Sequence, residues 1–397
     1  DYRGGSMARR TICPVHLESL DINQGIGNLH RIDFTNLASG ATVRNLYLSS
    51  LSGLKSLRLE PRMGLASLQI RSCPVLEEIE FGLTASWSTL KQISIKDKTK
   101  LKWEAFQRKF LRLNSCHLET LEISTVAFVP EPRLDDLIPV SDSLHEVKLL
   151  DSRDPALVRN HFDYHDVSYP NLHSIVHFSI TSSGCCLSKL QSLSSSSLRR
   201  LTVTVTQFES CDPVVSLPSS INVFDLSGRP GKHRTTIQSN SIREFSWSMV
   251  GGKWQEVSFV FPHLETLILR AHDVRLEEIF TWIVPLRRLR SLKVWCDDGW
   301  GNKNTIFLKS QSVEAIELHN LRYQRLDISC PNLTSITISS FQTLAVYAAV
   351  QLHRDLDVRV KKLVSGVEVQ YLTAPYQQEF ENFNRDLDWT ELKSLQM

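Results

Sequence analysis

Two copies of one spacing, 25 residues apart, constrain this chain more than any other feature. Leu264, Leu267 and Leu269 stand as L-x-x-L-x-L, and Leu289, Leu292 and Val294 repeat the pattern. In a short strand the last two apolar positions share a face, and the first tucks inward from the preceding turn. One such unit cannot bury that face, whereas stacked copies can, by pairing strands in parallel around a shared core. Each fully buried aliphatic side chain is worth about 1.5 to 3 kcal/mol, so three per unit hold an array together.

The same leading position recurs at Leu17, Val43, Leu65, Leu90, Leu118, Leu144 and Ile175, and again at Leu198, Ile221, Ile242, Leu264, Leu289, Val313 and Leu333. The steps run from 20 to 31 residues and average about 24, within the range of leucine-rich repeats. The expected fold is therefore an α/β repeat: a curved leucine-rich-repeat solenoid of about 14 repeats over residues 17–360, with a parallel concave sheet and a mixed helical and extended convex side. Residues 1–16 form a lead-in, of which 1–7 (DYRGGSM) read as a possible cloning scar, and residues 361–397 a C-terminal cap anchored by Phe380, Phe383, Leu387 and Trp389.

The connections between strands differ along the chain. Leu276, Ile279, Phe280 and Ile283 carry helical spacing that Pro285 stops, and helices are also expected over Leu101–Leu113 and Phe341–Leu352. Near the front, Leu29, Ile32 and Phe34, then Leu54, Leu57 and Leu59, then Leu76, Ile79 and Phe81 repeat the strand spacing out of phase, which predicts extended returns there. Residues 130–139 and 152–170, rich in proline and acids, are expected to protrude as loops.

Four segments share an aromatic or Cys, then Pro, x and Leu: CPVLEEI from Cys73, YPNLHSI from Tyr169, FPHLETL from Phe261 and CPNLTSI from Cys330. With LASLQIRSCPVLEEI, they make the chain resemble the irregular leucine-rich repeats of F-box proteins and of plant nucleotide-binding immune receptors. The resemblance implies recognition of a protein, a degron or an elicitor, on the concave face and its loops. Sixteen residues ahead of Leu17 are fewer than an F-box module needs, and no G-x-x-x-x-G-K-[ST] phosphate loop occurs. An adaptor or signalling module is then expected on another chain or cut away, unless the repeats act alone.

Composition narrows the function classes. A formal net charge of +2 gives no footprint for nucleic acid, and no apolar run is long enough for membrane insertion. Eight scattered cysteines argue for an intracellular protein, cytoplasmic or nuclear. No nucleophile elbow, paired carboxylates or glycine-rich cradle appears in a workable context, so the chain is read as non-catalytic and without a cofactor. His161, Asp163, His165 and Asp166 invite a metal reading, but polar residues in a protruding loop are more often solvated; Cys185 and Cys186 read as small residues in a turn.

The candidate binding residues are the outward positions of the strands. One column contains Tyr47, Gln69, Lys148, Ile268, Lys293 and Glu317; the next contains Arg71, Arg270, Trp295 and His319. A solvent-facing Ile268 beside Arg270, Lys293 and Trp295 is unusual on a polar sheet, and Trp with Arg is the common composition of an interface anchor. The competing reading is that the loop carrying Trp300 folds over them. The expected function is a scaffold binding a protein partner on this face, with a structural subunit of a larger assembly as the alternative and a metal-dependent enzyme around His161 as a third.

Overall fold

The structure, a computed structural model, describes residues 16–23, 29–35, 40–82, 87–97, 99–102, 105–106, 117–124, 128–129, 143–150, 174–186, 190–191, 193 and 197–209 of the first part of the chain. Beyond these it describes residues 213–230, 234–250, 257–272, 286–297, 305–319, 325–341, 344–351, 357–363 and 367–374. The chain divides into two compact units: residues 1–183 with 195–198, and residues 184–194 with 199–397. Each is a parallel β-solenoid.

In the first unit the main sheet contains, in sequence order, His16–Ile22, Thr42–Ser49, Ser67–Arg71, Gln92–Lys96, Thr120–Ser124, Glu146–Leu150 and the start of His177–Cys186. In the second it contains Arg200–Glu209, Val223–Pro230, Glu244–Val250, Thr266–His272, Ser291–Asp297, Ala315–His319, Ser335–Phe341 and Asp357–Leu363. A main-sheet strand lies in every one of the fourteen expected units, and Asp357–Leu363 adds one more turn.

Registry is what the spacing dictates. Leu46, Leu68, Ile93, Leu121 and Val147 stack as one buried column, and Leu48, Ile70, Ile95, Ile123 and Leu149 as the next. In the second unit Phe224, Phe245, Leu267, Leu292, Ile316 and Ile336 do the same. A slip of one residue would turn every one of these side chains to solvent, so the register is strongly specified.

Among the described residues the returns opposite the main sheet are almost all extended rather than helical. Arg31–Asp33, Ser56–Leu59 and Glu78–Phe81 form a parallel return sheet, as do Val214–Ser216, Thr235–Gln238 and Val257–Val260. A further return sheet joins Thr305–Lys309, Arg325–Ser329, Leu344–Gln351 and Val367–Ala374, and Leu101–Lys102 pairs with Phe128–Val129. Among the described residues, helical geometry is confined to the 3₁₀ turn Pro61–Met63, residues 105–106 and isolated turn residues. The mixed helical side is thus corrected, for a physical reason. A four-residue extended return crosses about 13 Å, a distance that takes about nine residues of helix, and only 20 residues separate Arg71 from Gln92.

The expected helix Phe341–Leu352 is likewise a strand, Leu344–Gln351, paired in register on both sides; pairing with neighbours overrides the weak local preference. Most of the expected helix 101–113 and all of 276–283 lie outside the described residues, as do loops 130–139 and 152–170, the Trp300 loop and the cap anchors. Cys185 and Cys186 are in the strand His177–Cys186 rather than in a turn.

The Pro-containing signature is a β-turn that feeds the core. The backbone N–H of Leu76 donates to the Cys73 carbonyl at 3.1 Å, that of Leu264 to Phe261 at 3.1 Å and that of Leu333 to Cys330 at 3.0 Å. Proline at the second position pre-sets its φ for such a turn. The residue before it points inward: Cys73, Phe261 and Cys330 are buried. The YPNLHSI copy begins outside the described residues.

Between main and return sheets of the second unit sits an aromatic cluster. Phe245 stacks on Phe224 at 5.6 Å and meets Phe259, across from it on the return sheet, at 4.6 Å; Trp247 meets Phe259 at 4.7 Å. These rings tie the two sheets together as well as filling the core.

Candidate functional site

Strands in a parallel sheet lie about 4.8 Å apart, so outward side chains at the same register position are in contact distance. Ile268 pairs with Lys293 and Lys293 with Glu317 in one column; Arg270 pairs with Trp295 and Trp295 with His319 in the next. The sequence placed these six residues on one face, and the structure brings them together on three consecutive strands.

Trp295 is the centre of the patch. Its indole stacks on the His319 imidazole with centroids 4.7 Å apart and planes 3° from parallel. On its other face the Arg270 guanidinium carbon sits 5.5 Å from the ring centroid, a cation–π contact worth about 0.5–1 kcal/mol at an exposed site. Both ring faces are thereby covered, and Trp295 is half-buried although it faces outward.

Glu317 ties the two columns together. Lys293 Nζ lies 3.0 Å from Oε2, and His319 Nε2 lies 2.9 Å from Oε1. An ionised carboxylate only accepts, so Nε2 carries the proton in this bond. Burial raises the Glu317 pKa, but hydrogen bonds and charge from Lys293 and His319 outweigh it and hold the carboxyl below its ordinary value. The rings are consequently fixed from both sides before any partner arrives.

The other candidates belong to the first unit. Tyr47 and Gln69 are register partners and both half-buried, while Arg71 is exposed and 3.5 Å from Asp97. Lys148 Nζ meets Glu146 Oε1 at 3.0 Å, and the His177 Nδ1 meets the same oxygen at 2.9 Å. Burial of Glu146 is again outweighed by Lys148 and His177, leaving its carboxyl below the ordinary value. This cluster repeats the charge types of Lys293, Glu317 and His319. Sequence reasoning named Lys148 but missed Glu146 and His177, whose column the alternating E-V-K and H-F-S patterns could have supplied.

A further column at the strand entrances was also missed. Arg44 pairs with Glu18, Lys91 with Glu119 and Arg243 with Glu265. Opposite charges on successive turns avoid the repulsion that identical stacked repeats would suffer.

Among the described residues no three His, Cys, Asp or Glu side chains are placed to hold a metal ion, and His161, Asp163, His165 and Asp166 lie outside them. No described helix is long and apolar enough to cross a membrane. The chain matches no known family model, and no curated protein is similar to it.

Proposed function

We propose that the chain is a non-catalytic recognition scaffold whose protein partner docks on the solvent face of the second unit's main sheet, around Trp295. The observation that carries this reading is the Arg270–Trp295–His319 stack. Tryptophan and arginine are the residue types that dominate binding energy at interfaces. Here they are held in place by neighbours on adjacent strands, so little side-chain freedom is lost on docking. Ile268 adds an apolar contact on the same face.

The repeat spacing and the Pro-containing turns support kinship with irregular leucine-rich repeats of the F-box and immune-receptor kind. In that reading a substrate or ligand docks here, and an adaptor or signalling module is supplied elsewhere. An intracellular site of action fits the buried thiols of Cys73 and Cys330.

The test is affinity capture from native cells with the wild type and with Trp295→Ala and Arg270→Ala, each checked for an unchanged circular dichroism melt. A partner captured by the wild type and lost from both variants supports the proposal. Capture that ignores both substitutions contradicts it and favours a structural subunit held by other surfaces.

A further inference from the structure

Resting on that reading, we infer that the segment recognised at Trp295 is acidic and presents Asp or Glu side chains to Arg270. Several cations in the outward columns of the main sheets meet carboxylates: Arg71 meets Asp97, Lys96 meets Glu122, Lys148 meets Glu146 and Lys293 meets Glu317. Arg270 is exposed, and among the described residues no carboxylate pairs with it. A guanidinium stacked on an aromatic ring keeps its in-plane N–H groups free for bidentate bonding to a carboxylate.

The register adds to this imbalance. Over the three strands Thr266–His272, Ser291–Asp297 and Ala315–His319, the two outward columns place Arg270 and Lys293 against one carboxylate, Glu317. Both oxygens of that carboxylate are already engaged, by Lys293 and His319. Lys293 thus takes up the carboxylate of these columns, and the charge left at Arg270 is complementary to an acidic partner.

Nucleic acid is the other polyanion such a face could take, and the geometry disfavours it. Single strands are gripped by stacking bases on free aromatic faces, whereas Arg270 and His319 occupy both faces of Trp295. What remains accessible suits an extended peptide lying across the strands, with carboxylates at Arg270 and apolar atoms on Ile268.

The experiment is selection of a displayed random dodecapeptide library on the full chain, followed by binding of the enriched peptides to wild type, Arg270→Ala, Arg270→Lys and Trp295→Ala. The expected result is enrichment in Asp and Glu, and binding at least about ten-fold weaker to Arg270→Ala, equivalent to about 1.4 kcal/mol. Arg270→Lys should recover only part of it, and added salt should weaken wild-type binding. Failure to enrich any peptide, enrichment without acids, or affinity indifferent to Arg270→Ala overturns the inference. So does tighter binding of a 20-nucleotide oligothymidine than of any enriched peptide. If cellular capture still requires Trp295 while enriched peptides are not acidic, only the acidic assignment fails; if neither requires Trp295, the recognition reading falls with it.

Discussion

Trp295 and His319 stack 4.7 Å apart and nearly parallel because they occupy the same register position on neighbouring strands. Their separation is the strand spacing itself. Glu317 holds the histidine end of the pair, so its protonation should be felt at the indole. A carboxyl with a lowered folded-state pKa stabilises fully above its unfolded value and loses that contribution as pH falls through the lowered one. Trp295 fluorescence, taken as wild type minus Trp295→Phe, should therefore shift on acidification, with a midpoint below that of an ordinary glutamate. Glu317→Gln should abolish the transition, and a midpoint at or above the ordinary value would contradict the Lys293 and His319 contacts.

Among the described glycines Gly228 is the least replaceable. Its φ is +147°, and a Cβ there would lie 2.4 Å from the Val205 carbonyl oxygen. The register between the two strands shifts between Thr204 and Gln207, opposite this residue, so the glycine accommodates a bulge. Gly228→Ala should cost about 2–5 kcal/mol through backbone strain and overpacking, measured by urea unfolding. A loss below the error of that measurement would show that the bulge relaxes freely.

Phe245 joins the main and return sheets through aromatic neighbours that include Phe224, Trp247, Phe259 and Phe261. Phe245→Ala should destabilise by about 3–5 kcal/mol. Leu267→Asp, which places a charge at a fully buried position, should exceed about 4 kcal/mol. In a quasi-one-dimensional array each turn contacts its neighbours, so hydrogen exchange should rise most at Glu244–Val250 and Ser291–Asp297. A uniform rise would contradict local stacking.

Cys73 and Cys330 report separately on the two units. Both are buried, and burial raises the Cys73 thiol and pushes that of Cys330 up to about 12. The thiolate is the reactive form, so both should resist iodoacetamide at pH 8 until their own unit opens. Mass spectrometry of labelled peptides along a urea series should show protection in native buffer; immediate labelling of either would contradict its place in the core.

How much was legible in advance depended on whether the signal was local. The L-x-x-L-x-L spacing encodes strand position and inward faces residue by residue, so Leu267, Leu269, Leu292 and Val294 occupy the expected buried columns. The same logic aligned Ile268 with Lys293 and Arg270 with Trp295. The return segments were less legible. Leu344–Gln351 carries apolar residues compatible with either period, and its strand partners, Arg325–Ser329 and Val367–Ala374, lie about twenty residues away on each side. The stacking of His319 on Trp295 depends on side-chain rotamers, which spacing does not specify.

Site-specific photocrosslinking gives the most direct test of where the partner docks. A benzophenone side chain would replace Ile268, beside Trp295, or Val214, which is 43% exposed on a return sheet of the same unit. With captured native partner, irradiation should cross-link it from position 268 and leave position 214 at background, and Arg270→Ala should reduce the yield at 268. Equal yields at both positions, or a cross-link from 214 alone, would contradict recognition on the Trp295 face.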